Sequence, residues 1–311
     1  MELIEGADAV PDGFGPSAVT IGKFDGVHLG HIGVIGQLCA LADERGVAPV
    51  VVTFDRNPLS LFAPEKAPEP LTSRAQRAEL LAAAGVATTV ELVFDHALAG
   101  QQPDAFVRDL LVDRLGARAV LAGADFRFGA RGAGDVPLLR ELGGGLGFDV
   151  ELIADVEIDG GRVSSSRIRN LLAEGEVAAA AGLLGRRHRV RSTVVPGDRR
   201  GRELGFPTAN LDPAIEGYLP ADAVYAAWAR IDGERHAAAV SIGNNPTFEG
   251  VPARRTEAHL LDVDADLYGR EIELEFVERV RGMLRFDGVD ELIAALTADV
   301  AAVRGILADA S

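Results

Sequence analysis

Residues 18–31, "AVTIGKFDGVHLGH", decide the fold of the first half of the chain. The apolar run at 18–22 predicts a buried strand, and a helical pattern begins near Gly30. His28 and His31 then fall in the connecting turn and the first helical turn, three positions apart, where side chains are neighbours on one helix face. A strand, a glycine-rich turn and a helix in this order are typical of a doubly wound α/β domain, which binds ligands at the carboxyl ends of its strands.

The turn has the composition of an anion site. Gly22, Gly26 and Gly30 let the backbone come close to a ligand, and a helix N-terminus supplies N–H groups and positive potential. Two imidazoles add hydrogen-bonding groups, so the stretch favours a phosphate ligand. Two other interpretations stay open from the spacing alone. The glycines could form only a turn with capping or surface histidines, and a zinc site would need a third ligand that is missing nearby.

The rest of the first half alternates strands with helices. Apolar runs predict strands at 18–22, 48–54, 88–94, 118–123 and 148–156. Apolar residues at helical spacing, ending in glycine, predict helices at 31–46, 73–85 and 103–116. This alternation predicts a parallel sheet covered by helices on both faces.

The second half has a different pattern. Residues 164–185 are predicted to form one or two helices, and a helix over 288–310 ends the chain. Between them, short strands are predicted at 187–195, 223–232, 235–243, 255–263 and 270–280. Successive strands joined by Gly, Pro and Asp turns predict an antiparallel barrel or sandwich, with a domain boundary near residue 186. In "EIELEF" (271–276) glutamates alternate with apolar residues, which predicts a strand with one solvent-exposed face.

Composition excludes several classes of protein. A length of 311 residues favours two domains, and a net charge of −16 argues against nucleic acid or an anionic membrane surface as the main partner. No apolar run reaches the length of about 18 residues that a membrane span needs, and the N-terminal segment is acidic where a signal peptide is basic. We therefore expect a cytoplasmic protein. The single cysteine, Cys39, cannot form an internal disulfide and has no partners for a structural zinc site.

Several motifs resemble those of one family. "GKFDGVHLGH" resembles the histidine motif of the nucleotidylyltransferase superfamily, in the form typical of bacterial bifunctional riboflavin kinase/FMN adenylyltransferases. The resemblance continues in order through "TFDRNP" (53–58), "GADFRFG" (123–129), "SSSRIR" (164–169), "GRELGFPTANL" (201–211), "IGNNPTF" (242–248), "TEAHLLD" (256–262), "DLYGREIELEF" (266–276) and "LRFDGVDEL" (284–292). It implies an FMN adenylyltransferase domain at 1–185 and a riboflavin kinase domain at 186–311. The substrates would be riboflavin, FMN and ATP, with Mg²⁺ accompanying the ATP.

For the first domain the resemblance implies a set of site residues. His28 and His31 would be catalytic, contacting the ATP phosphates during adenylyl transfer. The nucleotide and its phosphates would contact Gly22, Phe24, Gly30, Asp125, Ser164, Ser165, Ser166 and Arg169, and the flavin would contact Phe54, Asp55 and Phe128. The sequence departs from relatives at Arg56-Asn57-Pro58, where Pro-His-Pro is common. A plain helix cap is the alternative for the serine cluster.

For the second domain the resemblance implies a kinase site. Thr208 and Asn210 would bind magnesium through hard oxygen atoms, and Gly201 and Gly205 would lie in a loop that covers the nucleotide. Glu257 would be the general base, on a strand that supports it rigidly. The flavin would be lined by Arg281, Met283 and Phe286. By themselves "PTAN" could be an ordinary turn and Glu257 a surface glutamate.

Three further hypotheses stay open at this level. One is a chain with a single active domain, motivated by the histidine missing from the Pro-His-Pro position. Another is a flavin-binding or regulatory protein without turnover, and the third is a nucleotidylyltransferase for another acceptor fused to an unrelated barrel.

Overall fold

The chain forms two compact units, Met1–Val163 and Ser164–Ser311, called here the first and the second unit. The computed structural model describes residues 1–154, 156–197, 201, 204–243 and 254–310. Most of the "IGNNPTF" motif and two residues of "GRELGFPTANL" lie outside the described residues.

The first unit is built on a sheet of six strands, which are all parallel, as predicted for the five strands that the sequence analysis identified. Its strands are β1 Glu2–Glu5, β2 Ser17–Ile21, β3 Ala48–Phe54, β4 Thr88–Leu92, β5 Ala117–Ala122 and β6 Asp149–Leu152. The sequence analysis did not predict β1. Only Ile4 of this short edge strand is buried, so it has too few apolar residues to give a strand pattern.

Helices cover both faces of this sheet. They are α1 Leu29–Arg45, α2 Leu59–Phe62, α3 Arg74–Ala83, α4 His96–Gly100, α5 Pro103–Phe106 and α6 Val136–Leu146. Three 3-10 turns (Ala7–Ala9, Pro64–Lys66, Ala130–Gly132) and a small hairpin (β7 Glu157–Ile158, β8 Gly161–Arg162) complete the unit. On β3, Val50 and Val52 belong to one hydrophobic cluster and Val51 to another, as expected for a strand buried on both faces.

One predicted helix is wrong in detail. The segment predicted at 103–116 is α5 followed by a π-helical stretch, Val107–Arg114, rather than one α-helix. The apolar residues Val107, Leu110 and Leu111 are buried in the π-helix and would also be buried in an α-helix. Their spacing therefore could not distinguish the two kinds of helix.

The strand order reverses at β2. The strands β3, β4 and β1 lie on one side of β2, and β5 and β6 lie on the other. In doubly wound sheets this reversal opens a crevice at the carboxyl ends of the strands. The loops that follow β2, β3, β4 and β5 therefore surround the expected ligand position.

In the second unit the described residues form a closed antiparallel barrel, with helices before and after it in the sequence. Its strands are β9 His188–Val195, β10 Ala209–Leu211, β11 Ala223–Ile231, β12 Glu234–Gly243, β13 Arg255–Leu260 and β14 Glu271–Gly282, in the order β10-β13-β12-β11-β14-β9. Two helices precede the barrel, α7 Ser165–Glu174 and α8 Val177–Leu184, and α9 Val289–Asp309 follows it. The strand β10 was not predicted, because its three residues lie within a turn-like sequence.

A barrel of six strands has no room for a ligand inside, because side chains fill its interior. On β13, Thr256, Ala258 and Leu260 are buried, whereas the alternate residues are partly exposed. The helix α9 packs on the outer surface, against β11, β12 and β14. Any ligand of this unit must therefore bind outside the barrel wall.

The prediction of one exposed face on β14 is wrong for two of its three glutamates. The side chain of Glu271 is 70% exposed, but those of Glu273 and Glu275 are only 12% and 9% exposed. Arg189 and Arg191 of the neighbouring β9 cover them, with nitrogen–oxygen distances to Glu273 of 3.2 and 3.1 Å. The alternation identified the strand correctly, but the covering arginines come from another strand.

His188, at the start of β9, is buried in the barrel. Its Nε2 lies 2.7 Å from the carbonyl oxygen of Tyr218. Burial lowers the pKa of His188 to about 4; the bond to Tyr218 raises it slightly and the charge of Arg186 lowers it further. His188 is therefore neutral in the folded barrel at pH 7.

We expect the barrel to lose stability as the pH falls from 7 to 5. In this range the unfolded chain protonates His188 and the folded barrel does not, so protonation favours unfolding. One such group changes the free energy of unfolding by about 2 kcal/mol between pH 7 and pH 5. Urea unfolding followed by the fluorescence of Trp228, the single tryptophan and a residue of β11, measures this change. His188→Gln should remove it, and an equal pH dependence in both proteins would contradict the assignment.

Candidate active sites

The two histidines of the opening stretch form a stacked pair at the start of α1. His28 is the N-cap residue, and its Nδ1 accepts a hydrogen bond from the backbone N–H of His31 at 3.3 Å. The ring centroids are 3.7 Å apart and the ring planes differ by 15°. Because Nδ1 of His28 is an acceptor, the hydrogen of its neutral ring is on Nε2. The predicted turn and helix start are confirmed.

The loop that carries this pair is tightly packed. Phe24 is 2% exposed, and its ring lies 5.0 Å from that of His31, so only its backbone can face a ligand. A Cβ on Gly30 would come within 3.0 Å of the His28 ring, and one on Gly22 would lie 3.1 Å from the Phe24 ring. These two glycines therefore allow the rings to take their positions.

A cavity of about 1250 Å³ opens beside this loop. This is roomy for a small-molecule site, since such sites typically occupy roughly 300–1,000 Å³. It is lined by residues that follow four strands of the sheet, among them Gly22, Phe54, Phe94, Asp125 and Phe128. Of the predicted residues, the cavity thus brings together Gly22, Phe54, Asp125 and Phe128.

Two aromatic residues of this cavity were missed by the sequence analysis. Phe62 is 62% exposed, and its ring packs edge-on against Phe94, which in turn packs edge-on against Phe54. A large exposed aromatic side chain at the end of the short helix α2 was the signal that could have identified Phe62.

The segment that departs from relatives has a structural role. The carboxylate of Asp55 accepts hydrogen bonds from Phe94 N at 2.8 Å and from the Arg56 guanidinium at 2.9 and 3.0 Å. Burial raises the pKa of Asp55, but these bonds together outweigh it and hold the pKa below its usual value. Asn57 Oδ1 accepts from Leu59 N at 3.0 Å, so the asparagine forms an Asx turn just before α2.

The remaining predicted residues of this half are distributed as follows. Asp125 is exposed and pairs with Arg162 at 3.3 Å, while Phe128 is largely buried and stacks on Phe126. Ser164 belongs to the second unit, where it is the N-cap of α7 and accepts from Arg167 N at 3.3 Å. Ser165, Ser166 and Arg169 lie within the first two turns of that helix.

In the second unit, strand register gathers the predicted kinase residues. Glu257 on β13 lies opposite Asn210 of β10 on one side and opposite Ser241 of β12 on the other. Residues directly opposite each other in antiparallel strands share a face, so the three side chains line the outer wall of the barrel together. Thr208 Oγ1 donates to Glu257 Oε2 at 3.4 Å.

Glycines shape the loops above this wall. A Cβ on Gly197 would overlap the Asn210 carboxamide, and one on Gly201 would overlap the carbonyl oxygen of Phe206. Gly205 has a φ of +85°, in the left-handed region. Glycine at positions 197 and 201 therefore lets the backbone of these loops pack closely against the segment that carries Thr208 and Asn210.

A cavity lies against this wall, and its far side is formed by residues 281, 283, 284 and 286 and by α9. Arg281 donates to both carboxylate oxygens of Asp299, at 2.8 and 2.7 Å, and to the carbonyl oxygen of Gly282 at 3.0 Å. Its guanidinium thus ties β14 to α9. Met283 and Phe286 line the cavity, and the Arg281 guanidinium lies 5.8 Å from the Phe286 ring.

Three titratable lining residues were missed: Arg255, His259 and Asp299. The first two share the face of Glu257 on β13, so the period of two around Glu257 could have identified them. His259 Nδ1 lies 2.7 Å from the carbonyl oxygen of Pro207 and fixes the segment that carries Thr208. Asp299 interrupts an apolar helix face, which was a weaker signal for a buried ionic partner.

Comparison with known proteins identifies the family of each half of the chain. Residues 12–167 match the FAD synthetase family, and residues 184–307 match the riboflavin kinase family. A bifunctional riboflavin kinase/FMN adenylyltransferase of Pseudomonas fluorescens is 37% identical over 308 residues, which cover 99% of this chain and 98% of the relative. The chain belongs to the bifunctional riboflavin kinase/FMN adenylyltransferase family. It is accordingly an enzyme with two transferase activities, which convert riboflavin to FMN and FMN to FAD with ATP.

Other bifunctional riboflavin kinase/FMN adenylyltransferases agree. The protein of Escherichia coli K12 is 39% identical over 282 residues, 90% of each chain, and that of Bacillus subtilis is 32% identical over 290 residues. A solved structure from Streptococcus pneumoniae, described as a macrolide-efflux protein, has a TM-score of 0.87 and 30% identity and covers 98% of this chain and 99% of its own. Among the described residues, no helix combines the length and hydrophobicity needed to span a membrane.

Proposed function

We propose that the outer wall of the barrel phosphorylates riboflavin and that the histidine pair of α1 promotes the adenylylation of FMN. The position of Glu257 between Asn210 and Ser241, with Thr208 3.4 Å away, carries the assignment of the kinase site. This position places a carboxylate base beside neutral side-chain oxygens that can bind a metal ion, all on the rigid wall of the barrel. The two reactions then use two separate sites.

In the kinase reaction Glu257 accepts the proton of the terminal ribityl hydroxyl. That oxygen attacks the γ-phosphorus of ATP, the bond to the bridging oxygen breaks, and ADP leaves. The rigid strand β13 supports the carboxylate, and the Thr208 hydroxyl orients it. Met283, Phe286 and the Arg281–Asp299 pair form the flavin side of the cavity.

Thr208 and Asn210 would hold a magnesium ion that accompanies ATP. In the described ranges, no group of three or more His, Cys, Asp and Glu side chains could hold a metal ion by itself. The Thr208 hydroxyl and the Asn210 carboxamide are hard oxygen donors, and the close backbone at Gly197 fixes the carboxamide. A magnesium ion bound there with the phosphates would neutralise the charge that develops on their oxygens.

In the adenylyl reaction a phosphate oxygen of FMN attacks the α-phosphorus of ATP, and pyrophosphate leaves. No protein nucleophile is required. Nε2–H of His28, the His31 ring and the N–H groups at the start of α1 stabilise the charge on the phosphoryl oxygens. Gly22, Gly30 and the backbone at Phe24 give the nucleotide access to these donors.

The remaining assignments follow the motifs. Phe54, Asp55 and Phe128 would border the flavin, and Asp125 the nucleotide. The pyrophosphate would bind to Ser164, Ser165, Ser166 and Arg169, and Gly201 and Gly205 would belong to the loop over the kinase ATP. The proposed boundary between the two activities lies between residues 185 and 186. The FAD synthetase match ends at residue 167, and the riboflavin kinase match begins at residue 184.

Gly197→Ala should lower riboflavin phosphorylation about 100-fold and leave FMN adenylylation unchanged, because the added methyl group displaces the Asn210 carboxamide. Initial rates of FMN and FAD formation by chromatography measure both effects. Gly305→Ala is the matched control, since a Cβ there meets nothing within 4 Å. Full kinase activity in Gly197→Ala would contradict the role of Asn210.

A single assay tests the whole proposal. Purified protein with riboflavin, ATP and Mg²⁺ should produce FMN and then FAD, and EDTA should stop both steps. FMN without FAD would indicate that only the barrel is active. Tight flavin binding with neither product would favour a binding protein, and FAD formation unaffected by EDTA would contradict the magnesium assignment.

A further inference from the structure

A buried carboxylate lies at the carboxyl end of β4, beside the histidine loop. The Glu91 side chain is 4% exposed and lies between two arginines of α3. Arg74 Nε donates to Glu91 Oε2 at 2.8 Å, and Arg77 Nη2 lies 2.5 Å from Glu91 Oε1. Arg77 is itself only 12% exposed, whereas Arg74 is 54% exposed. Arg77 is thus the inner member of this ionic cluster.

The same guanidinium reaches the ends of two other strands. Arg77 Nη2 donates to the carbonyl oxygen of Phe54 at 2.7 Å, and Nη1 lies 3.4 Å from the carbonyl oxygen of Lys23. Thr53 Oγ1 donates to the same Lys23 oxygen at 3.2 Å. Arg77 therefore joins the loop after β2 to the ends of β3 and β4. The loop after β2 carries the histidine pair.

That loop needs support from outside. Phe24 and Val27 have φ angles of 49° and 37°, in the left-handed region that a β-branched residue such as valine rarely adopts. Backbone in this region persists only where surrounding contacts hold it. The segment before α3 supplies two such contacts, from Leu71 N to Asp25 Oδ1 at 2.8 Å and from Gly26 N to Thr72 Oγ1 at 3.3 Å.

We propose that Arg77, held in place by Glu91, is a positioning residue for adenylyl transfer. It fixes the loop of residues 22–28 against the end of β3, and so sets the position of His28 and His31 relative to Phe54 and the cavity of the first unit. The inference rests on the proposed adenylylation at the histidine pair. Arg77 acts through the loop, and it contacts neither substrate in this account.

Arginine is required because one planar group must serve three acceptors. A guanidinium has five N–H donors in a fixed arrangement, whereas a lysine ammonium is a compact point charge on a flexible stem. Arg77→Lys keeps the positive charge beside Glu91 but cannot bond to Glu91, Phe54 and Lys23 in the same geometry. The lysine variant therefore separates positioning from simple neutralisation of a buried carboxylate.

The test uses the full chain, because its kinase reaction is an internal control. For Arg77→Gln we expect kcat of FMN adenylylation to fall about 10- to 100-fold, with KM for FMN and ATP within about threefold of wild type. Arg77→Lys should lose about tenfold in kcat at an unchanged thermal unfolding midpoint. Riboflavin phosphorylation should stay at the wild-type rate in both.

Arg45→Gln is the matched control. Arg45 also bonds to two carboxylates, those of Asp149 and Glu151, and to one carbonyl oxygen, that of Arg118. None of these partners lies in the loop of residues 22–28. It should keep wild-type adenylylation.

Three results would overturn the inference. They are wild-type kcat in Arg77→Gln, full rescue by Arg77→Lys, and a loss of adenylylation that follows the unfolding midpoint equally in all three variants. Wild-type protein that makes no FAD at all would instead contradict the proposed function.

Discussion

Glu257→Gln leaves riboflavin unphosphorylated while the same protein still converts supplied FMN to FAD. The amide has nearly the shape of the carboxylate but cannot accept the proton of the ribityl hydroxyl. The loss of a general base lowers the rate about 10²- to 10⁴-fold. Initial rates of FMN formation from riboflavin, and of FAD formation from FMN, are read by chromatography on one preparation.

Glu271→Gln is the control for this prediction. Glu271 lies on the same barrel but is 70% exposed and does not line the cavity, so its removal should change neither rate. Phosphorylation by Glu257→Gln at more than about a tenth of the wild-type rate would show that Glu257 is not the base. Equal loss of both activities would show that the substitution disturbs the whole chain.

His31→Ala has the opposite expected effect, with FMN accumulating from riboflavin and little FAD following. The alanine removes one donor from the phosphoryl oxygens and the ring that stacks on His28 at 3.7 Å. Removing one such donor lowers the rate about 10²- to 10³-fold. Pyrophosphate release with FMN as acceptor measures the loss, and FMN formation from riboflavin measures the activity that is retained.

Ile32→Ala is the matched control, since this neighbour on α1 is 38% exposed. It should retain adenylylation. A normal rate of FAD formation in His31→Ala would remove the histidine pair from the reaction. Loss of FMN formation together with FAD formation would contradict the separation of the two sites.

The sequence-based predictions were most accurate for segments whose structure is determined by their own residues. The strand β3 was predicted with its observed bounds, and the turn between β2 and α1 was predicted with His28 and His31 in their observed places. Both segments combine local propensity with a pattern of buried residues. The period of two around Glu257 likewise contained Arg255 and His259, although these two were not inferred.

Features that depend on distant segments were not predictable. The strand β10 exists because Asn210 pairs with both β9 and β13, and nothing in its turn-like sequence announces this. Arginines of β9 cover Glu273, and Arg189 of β9 together with Arg230 of β11 covers Glu275. Arg77 meets the loop after β2 and the ends of β3 and β4 only after α3 has packed on the sheet. Side-chain bonds between remote segments leave no periodic trace in the chain.

The departure at Arg56-Asn57 is partly explained by local structure. Asn57 forms an Asx turn just before α2, and the Arg56 guanidinium is bonded to the carboxylate of Asp55. The segment that carries Pro-His-Pro in relatives leads here into α2, whose last residue, Phe62, lines the cavity of the first unit. His28 and His31 are left as the histidines assigned to the phosphates.

The most direct test of two separate sites is complementation between the two inactive variants. Glu257→Gln and His31→Ala are mixed with riboflavin, ATP and Mg²⁺, and FAD is followed by chromatography. Neither variant alone should make FAD from riboflavin, but the mixture should, because FMN released by the barrel of one molecule is adenylylated by the histidine site of another. Failure of the mixture to make FAD, when each variant retains its own remaining reaction, would contradict the account.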